Sequence, residues 1–140
     1  MRQLRFLKFW LSIGWIFVGL VILFSLIPSP PTTLEFKGAD KLLHLFTYMA
    51  IMLWFGLIYL PGKRYQFLGI AFIIMGVMLE FTQGLIGYRS LEYFDMIANS
   101  FGVFLGWLIV RTPISSALLH LESRLGITPI ERKRSNVSKQ

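Results

Sequence analysis

Nineteen consecutive residues, Phe9 to Ile27, carry no charge and are almost all apolar. As a helix such a stretch rises about 28 Å, close to the thickness of a bilayer's hydrocarbon core. A basic leader with Arg2, Arg5 and Lys8 precedes it. That arrangement also describes a signal peptide, but the apolar run exceeds the usual length and no small-x-small cleavage site follows. The expectation is an uncleaved anchor. Composition supports this: 15% of the residues are charged, where soluble domains carry about 25%. The 140 residues leave room for one domain. With no cysteine in the chain, disulfides and thiolate chemistry are excluded.

Three more apolar stretches follow, at about residues 42–60, 65–86 and 95–110. Pro28, Pro30 and Pro31 close the first span, Pro61-Gly62 the second, and Arg111-Thr112-Pro113 the fourth. None shows the period-two alternation of barrel strands, and lipid cannot satisfy open backbone groups. The predicted fold class is therefore all-α, a polytopic four-transmembrane-helix bundle. Behind Thr112 and Pro113, a short amphipathic helix is expected over 113–126. Ile114, Ala117, Leu118, Leu121 and Leu125 form its apolar face, with Ser115, Ser116, Glu122 and Arg124 opposite and Gly126 as its stop. Residues 127–140 read as a disordered basic tail.

Lys and Arg placement sets orientation. With residues 1–8 inside, eleven basic residues fall on the inner side and three on the outer. Both termini are expected in the cytoplasm, and membrane lipids are the expected surroundings. The net charge of +7 then reflects topology. No aromatic-basic recognition module accompanies it, so no nucleic-acid partner is expected. Trp54, Tyr59, Tyr65 and Trp107 fit an inner aromatic belt, and Tyr88 and Tyr93 an outer one.

Polar residues within spans are expensive and so mark function first. Asp40, His44 and Tyr48 share one face at i, i+4 and i+8. Glu80 and Gln83 share a face at i, i+3, and Asp95 and Asn99 at i, i+4. Given the orientation, all lie in the outer half. From 1.5 Å per residue, His44, Glu80 and Asn99 each sit roughly 6 Å below the outer boundary. Simpler roles exist for each: helix capping for Asp40 and Asp95, a satisfied core imidazole for His44, an ion pair for Glu80, interhelical bonding for Asn99. Their common depth points instead to one site. On span four, Ala98, Gly102 and Gly106 form a small-residue stripe suited to close packing inside the bundle.

The blocks Asp40-Lys-Leu-Leu-His44-Leu-Phe-Thr-Tyr48, Glu80-Phe-Thr-Gln83 with Tyr88-Arg89-Ser90, and Asp95-Met-Ile-Ala-Asn99-Ser-Phe-Gly102 resemble the VanZ-like family. The resemblance covers about residues 35 to 110. It matches at Asp40, His44, Tyr48, Glu80, Gln83, Arg89, Asp95, Asn99 and Gly102. It implies a bacterial inner-membrane protein and a link to envelope-acting glycopeptides, without a mechanism.

Three functions compete. In the first, the outward polar pocket binds a lipid-linked or peptidoglycan-related headgroup, with Arg89 holding an anionic group. In the second, the chain is a membrane-embedded enzyme with His44 as general base, oriented by Asp40 or Glu80. A divalent ion on His44, Glu80 and Asp95 is a variant of that reading, but no tight spacing such as H-E-x-x-H supports it. No metal or cofactor is assigned. The third, an ion conduit, needs polar residues through the inner half, where the spans are apolar. Oligomeric state is not legible.

Overall fold

The computed structural model describes residues 2–27, 38–86 and 92–126. Among them every regular element is helical. Helix α1 is Leu7–Leu26, α2 Ala39–Ile58, α3 Lys63–Ile86 and α4 Tyr93–Ile109; a 3-10 turn, Pro113–Ser116, leads into α5, Ala117–Arg124. Each of the four long helices begins two or three residues before the apolar run that predicts it. Helix continuity depends on backbone bonds, so polar first turns such as Ala39-Asp40-Lys41 belong to the helix although a hydropathy reading trims them. Arg89, Tyr88 and the basic tail lie outside the described residues.

Among the described residues three helices, α1 to α3, are long and apolar enough to cross a membrane. The fourth, at 17 residues, qualifies only together with Pro113–Arg124, from which it is bent by 77°. The burial pattern suits lipid. On α3 the outward stripe is Phe67, Ile70, Ile74, Met78 and Leu85, while Gly69, Gly76, Glu80 and Gln83 point inward. On α4, Phe94, Ile97, Phe101 and Phe104 are exposed, while Asp95, Asn99, Gly102 and Gly106 are buried. An apolar exterior around a small-and-polar interior inverts the pattern of a soluble bundle and is compatible with a multi-pass membrane protein.

Helices α2 and α4 form the closest pair. They run parallel, so that His44 meets Asn99 near one end and Gly56 meets Val110 near the other. Gly102 and Gly106 permit this. A Cβ on Gly102 would stand 2.3 Å from the Leu45 carbonyl oxygen, and one on Gly106 2.6 Å from that of Met49. The small-residue stripe therefore works inside the bundle through its two glycines; Ala98 is only half-buried. Helix α3 runs antiparallel to this pair. Helix α1 packs against α2 through Trp54, whose indole N–H donates to the Trp10 carbonyl at 3.1 Å.

The end of the molecule away from His44 adds contacts that the sequence does not show. Residues 2–6 of the basic leader pack on the bundle: the Arg2 N–H donates to the Ile58 carbonyl at 2.9 Å, and Leu4 is buried with Ile58 and Leu118. Glu122, expected on the polar face of the last helix, is 2% exposed. Its carboxylate accepts the Arg5 N–H at 2.9 Å, the Phe6 N–H at 3.1 Å and the Trp10 indole N–H at 2.8 Å. It thereby satisfies free N–H groups at the start of α1 with a favourable charge. Leu118 is the one member of the expected apolar face that is buried; Ile114, Leu121 and Leu125 face outward. Gly126, at φ +71°, ends the helix as its sequence position suggests. One residue expected in the inner aromatic belt is interior instead: Tyr65 is 1% exposed with its hydroxyl 3.4 Å from the Met52 carbonyl oxygen; Trp54 is half-buried and tied to α1. Trp107 carries the Arg111 guanidinium 3.7 Å above its ring.

Candidate functional site: a buried polar cluster

The first turns of α2 and α4 and the last turns of α3 meet at one end of the bundle. His44, one turn into α2, points toward α4. Its Nδ1 lies 3.1 Å from Asn99 Oδ1, and its Nε2 lies 3.7 Å from Asp95 Oδ2. Since Asn99 Oδ1 can only accept, Nδ1 carries the proton of that bond. Glu80 enters from α3 and is 1% exposed; its Oε1 accepts the Glu92 N–H at 3.1 Å. Asp95 and Asn99 are 0% and 2% exposed. Tyr48 is buried beneath. Gly76 leaves room for the Tyr48 ring and Asn99 side by side, since a Cβ there would stand 3.1 Å and 3.0 Å from them.

A rim of charges covers this core. The Lys41 ammonium lies 2.6 Å from Glu92 Oε2, 3.2 Å from Asp40 Oδ2 and 3.4 Å from Asp95 Oδ1. Lys41, Asp40 and Glu92 are each about a third exposed, so the rim is where the cluster meets solvent. Asp40 and Asp95 do not act as side-chain caps. The capping positions are Gly38, at φ 101°, and Glu92, and neither makes a side-chain capping bond. Both aspartates sit within the first turn instead, where a carboxylate complements the helix dipole.

The residues expected to share one depth do come together. Single ligand atoms of His44, Glu80 and Asp95 all lie within 4.8 Å of one another, and those of Asp40, Glu92 and Asp95 form a second such group at the rim. Spacing along the sequence assigns no metal, because these donors come from three different helices. Gln83, on the same face as Glu80, donates its amide N–H to the Ser25 carbonyl at 2.7 Å, joining α3 to the end of α1. Arg89, expected to hold an anion, falls outside the described residues.

Two participants escaped the sequence reading. Lys41 counts there only toward topology, and Glu92 is absent. The available signal was local: Lys41 adjoins Asp40, and Glu92 precedes Asp95 by three residues, at the mouth of the same helix.

Comparison of the chain with protein-family models, with curated proteins and with solved structures gives no match. The class defined by fold and cluster is an all-helical protein, compatible with multiple membrane passes, that buries ionisable groups from three helices at one end.

Proposed function

We propose that this chain is a VanZ-like, multi-pass envelope protein of a bacterial inner membrane, and that its polar end binds the headgroup of a lipid-linked cell-wall precursor. In this reading α4 is the fourth span, since about 17 residues suffice at the lower limit. The eleven-to-three distribution of basic residues supports both termini in the cytoplasm and the polar end outside. A link to glycopeptide susceptibility belongs to the same proposal and rests on the resemblance of the three sequence blocks.

The carrying observation is the burial of Glu80, Asp95 and Asn99 in an otherwise apolar bundle, beneath a partly exposed charged rim. Such groups in lipid-facing helices are kept where they recognise something. The chemistry suits a headgroup rich in hydroxyl and amide N–H donors, which carboxylates and an Asn carbonyl accept. Lys41 and Arg89 supply cations for a diphosphate linkage. The test is native mass spectrometry of the full chain with a polyprenyl diphosphate N-acetylsugar, against phosphatidylglycerol as competitor. Selective retention by the natural protein and at least tenfold weaker retention by Asn99→Leu are expected. Equal retention of both lipids, or of the sugar lipid by both proteins, would refute the reading.

A further inference from the structure

We infer that His44, Glu80 and Asp95 form a binding site for one divalent transition-metal ion, of the Mn2+ or Zn2+ class. This goes beyond headgroup binding and does not depend on it. Three features of the geometry lead there.

The first is convergence. One nitrogen and two carboxylate oxygens, each from a different helix, lie within 4.8 Å of one another. Ligands about 2.0–2.2 Å from a central ion can be separated by no more than about 4.4 Å, so donors at this spacing close on an ion with small side-chain adjustments.

The second is the orientation of the imidazole. Metal-bound histidines donate their other ring N–H to an oxygen that fixes the tautomer. Here Asn99 Oδ1 takes the Nδ1 proton of His44. Nε2, on the other edge of the ring, then faces Asp95 Oδ2 at 3.7 Å and is the nitrogen turned toward the carboxylates.

The third is the donor set. Glu80 and Asp95 are buried, at 1% and 0% exposed, beside the imidazole. A metal-bound imidazole is neutral, so these three groups form a donor set of charge −2, which suits a divalent ion. A mixed nitrogen and oxygen set favours a transition ion over Mg2+ or Ca2+. Three protein ligands leave positions for water or an oxygen of a bound molecule.

The test uses the full chain in detergent micelles, stripped with chelator and titrated with Mn2+ alone under electron paramagnetic resonance. One ion per chain is expected, and its spin-echo modulation should show a directly bound imidazole nitrogen. His44→Gln and Glu80→Gln should each weaken binding at least tenfold. His120→Ala, which removes the other histidine, an exposed side chain on α5, should bind as the natural protein does. Absence of a stoichiometric ion, or of the nitrogen signal in the natural protein, would overturn the inference without recourse to any variant. Binding that survives Glu80→Gln but is lost in Glu92→Gln would place the ion at the rim and overturn it equally. Because no lipid is present, failure of this test leaves headgroup binding to be judged by its own measurement.

Discussion

Replacing Glu122 tests the least expected part of this fold. Its carboxylate holds Arg5 N–H, Phe6 N–H and the Trp10 indole at 2.9, 3.1 and 2.8 Å while itself 2% exposed. A hydrogen bond to a charged group contributes about 1.5–3 kcal/mol net, and abandoned buried donors add a penalty. Three such bonds would sum to more than 4 kcal/mol, but the site lies at the end of the bundle, where water can reach the vacated donors. The expected loss for Glu122→Ala is therefore about 3 kcal/mol. Glu122→Gln keeps one acceptor oxygen and should lose about half of that. The pH dependence gives a second check. Burial pushes the carboxyl upward, but hydrogen bonds from Arg5, Trp10 and Phe6 outweigh it and hold it below its ordinary value of 4.5. A carboxyl depressed in the folded state contributes stability that is full above 4.5 and is lost as pH falls through the folded value. The gap between the natural protein and Glu122→Gln should therefore be constant near neutrality and narrow on acidification. Unfolding in mixed detergent micelles with rising dodecyl sulfate, followed by circular dichroism, measures both. Stability of Glu122→Ala within about 0.5 kcal/mol of the natural protein would refute the capping role.

Other predictions follow from the same contacts. Gly102→Ala should separate α2 from α4 and cost 2 kcal/mol or more, on the order of an overpacked core, because the new Cβ meets the Leu45 carbonyl at 2.3 Å. Gly19→Ala, with nothing within 4 Å, should be neutral or stabilising by about 0.5–1 kcal/mol in the same unfolding assay. Glu80→Gln should insert at normal abundance yet lose whatever envelope phenotype deletion reveals; full function would refute a charged site there, and lost abundance would assign Glu80 to folding. A reporter active only outside the cytoplasm, fused after residue 140, should give no signal; strong signal would invert the orientation.

Hydropathy and spacing alone established the helical class, the approximate extent of the apolar helices and the gathering of His44, Glu80 and Asn99 at one level. These properties follow from local periodicity and from a fixed rise per residue, both of which a linear sequence carries. They did not reveal that Gln83 bonds to α1, that Tyr65 is interior, that Trp54 bonds to α1, or that Lys41 and Glu92 form the rim. The partners of those side chains lie on other helices, and periodicity along one helix does not state which neighbour it meets. Glu122 shows the limit most clearly. Its surroundings within α5 give it a polar, outward face, and only the packing of the last helix against the first turns it inward, where unsatisfied N–H groups 116 and 117 residues away require a carboxylate. The same holds for the donor set of His44, Glu80 and Asp95. Its chemistry was legible residue by residue, but the closeness of its atoms was decided by how tightly Gly102 and Gly106 let α2 and α4 approach.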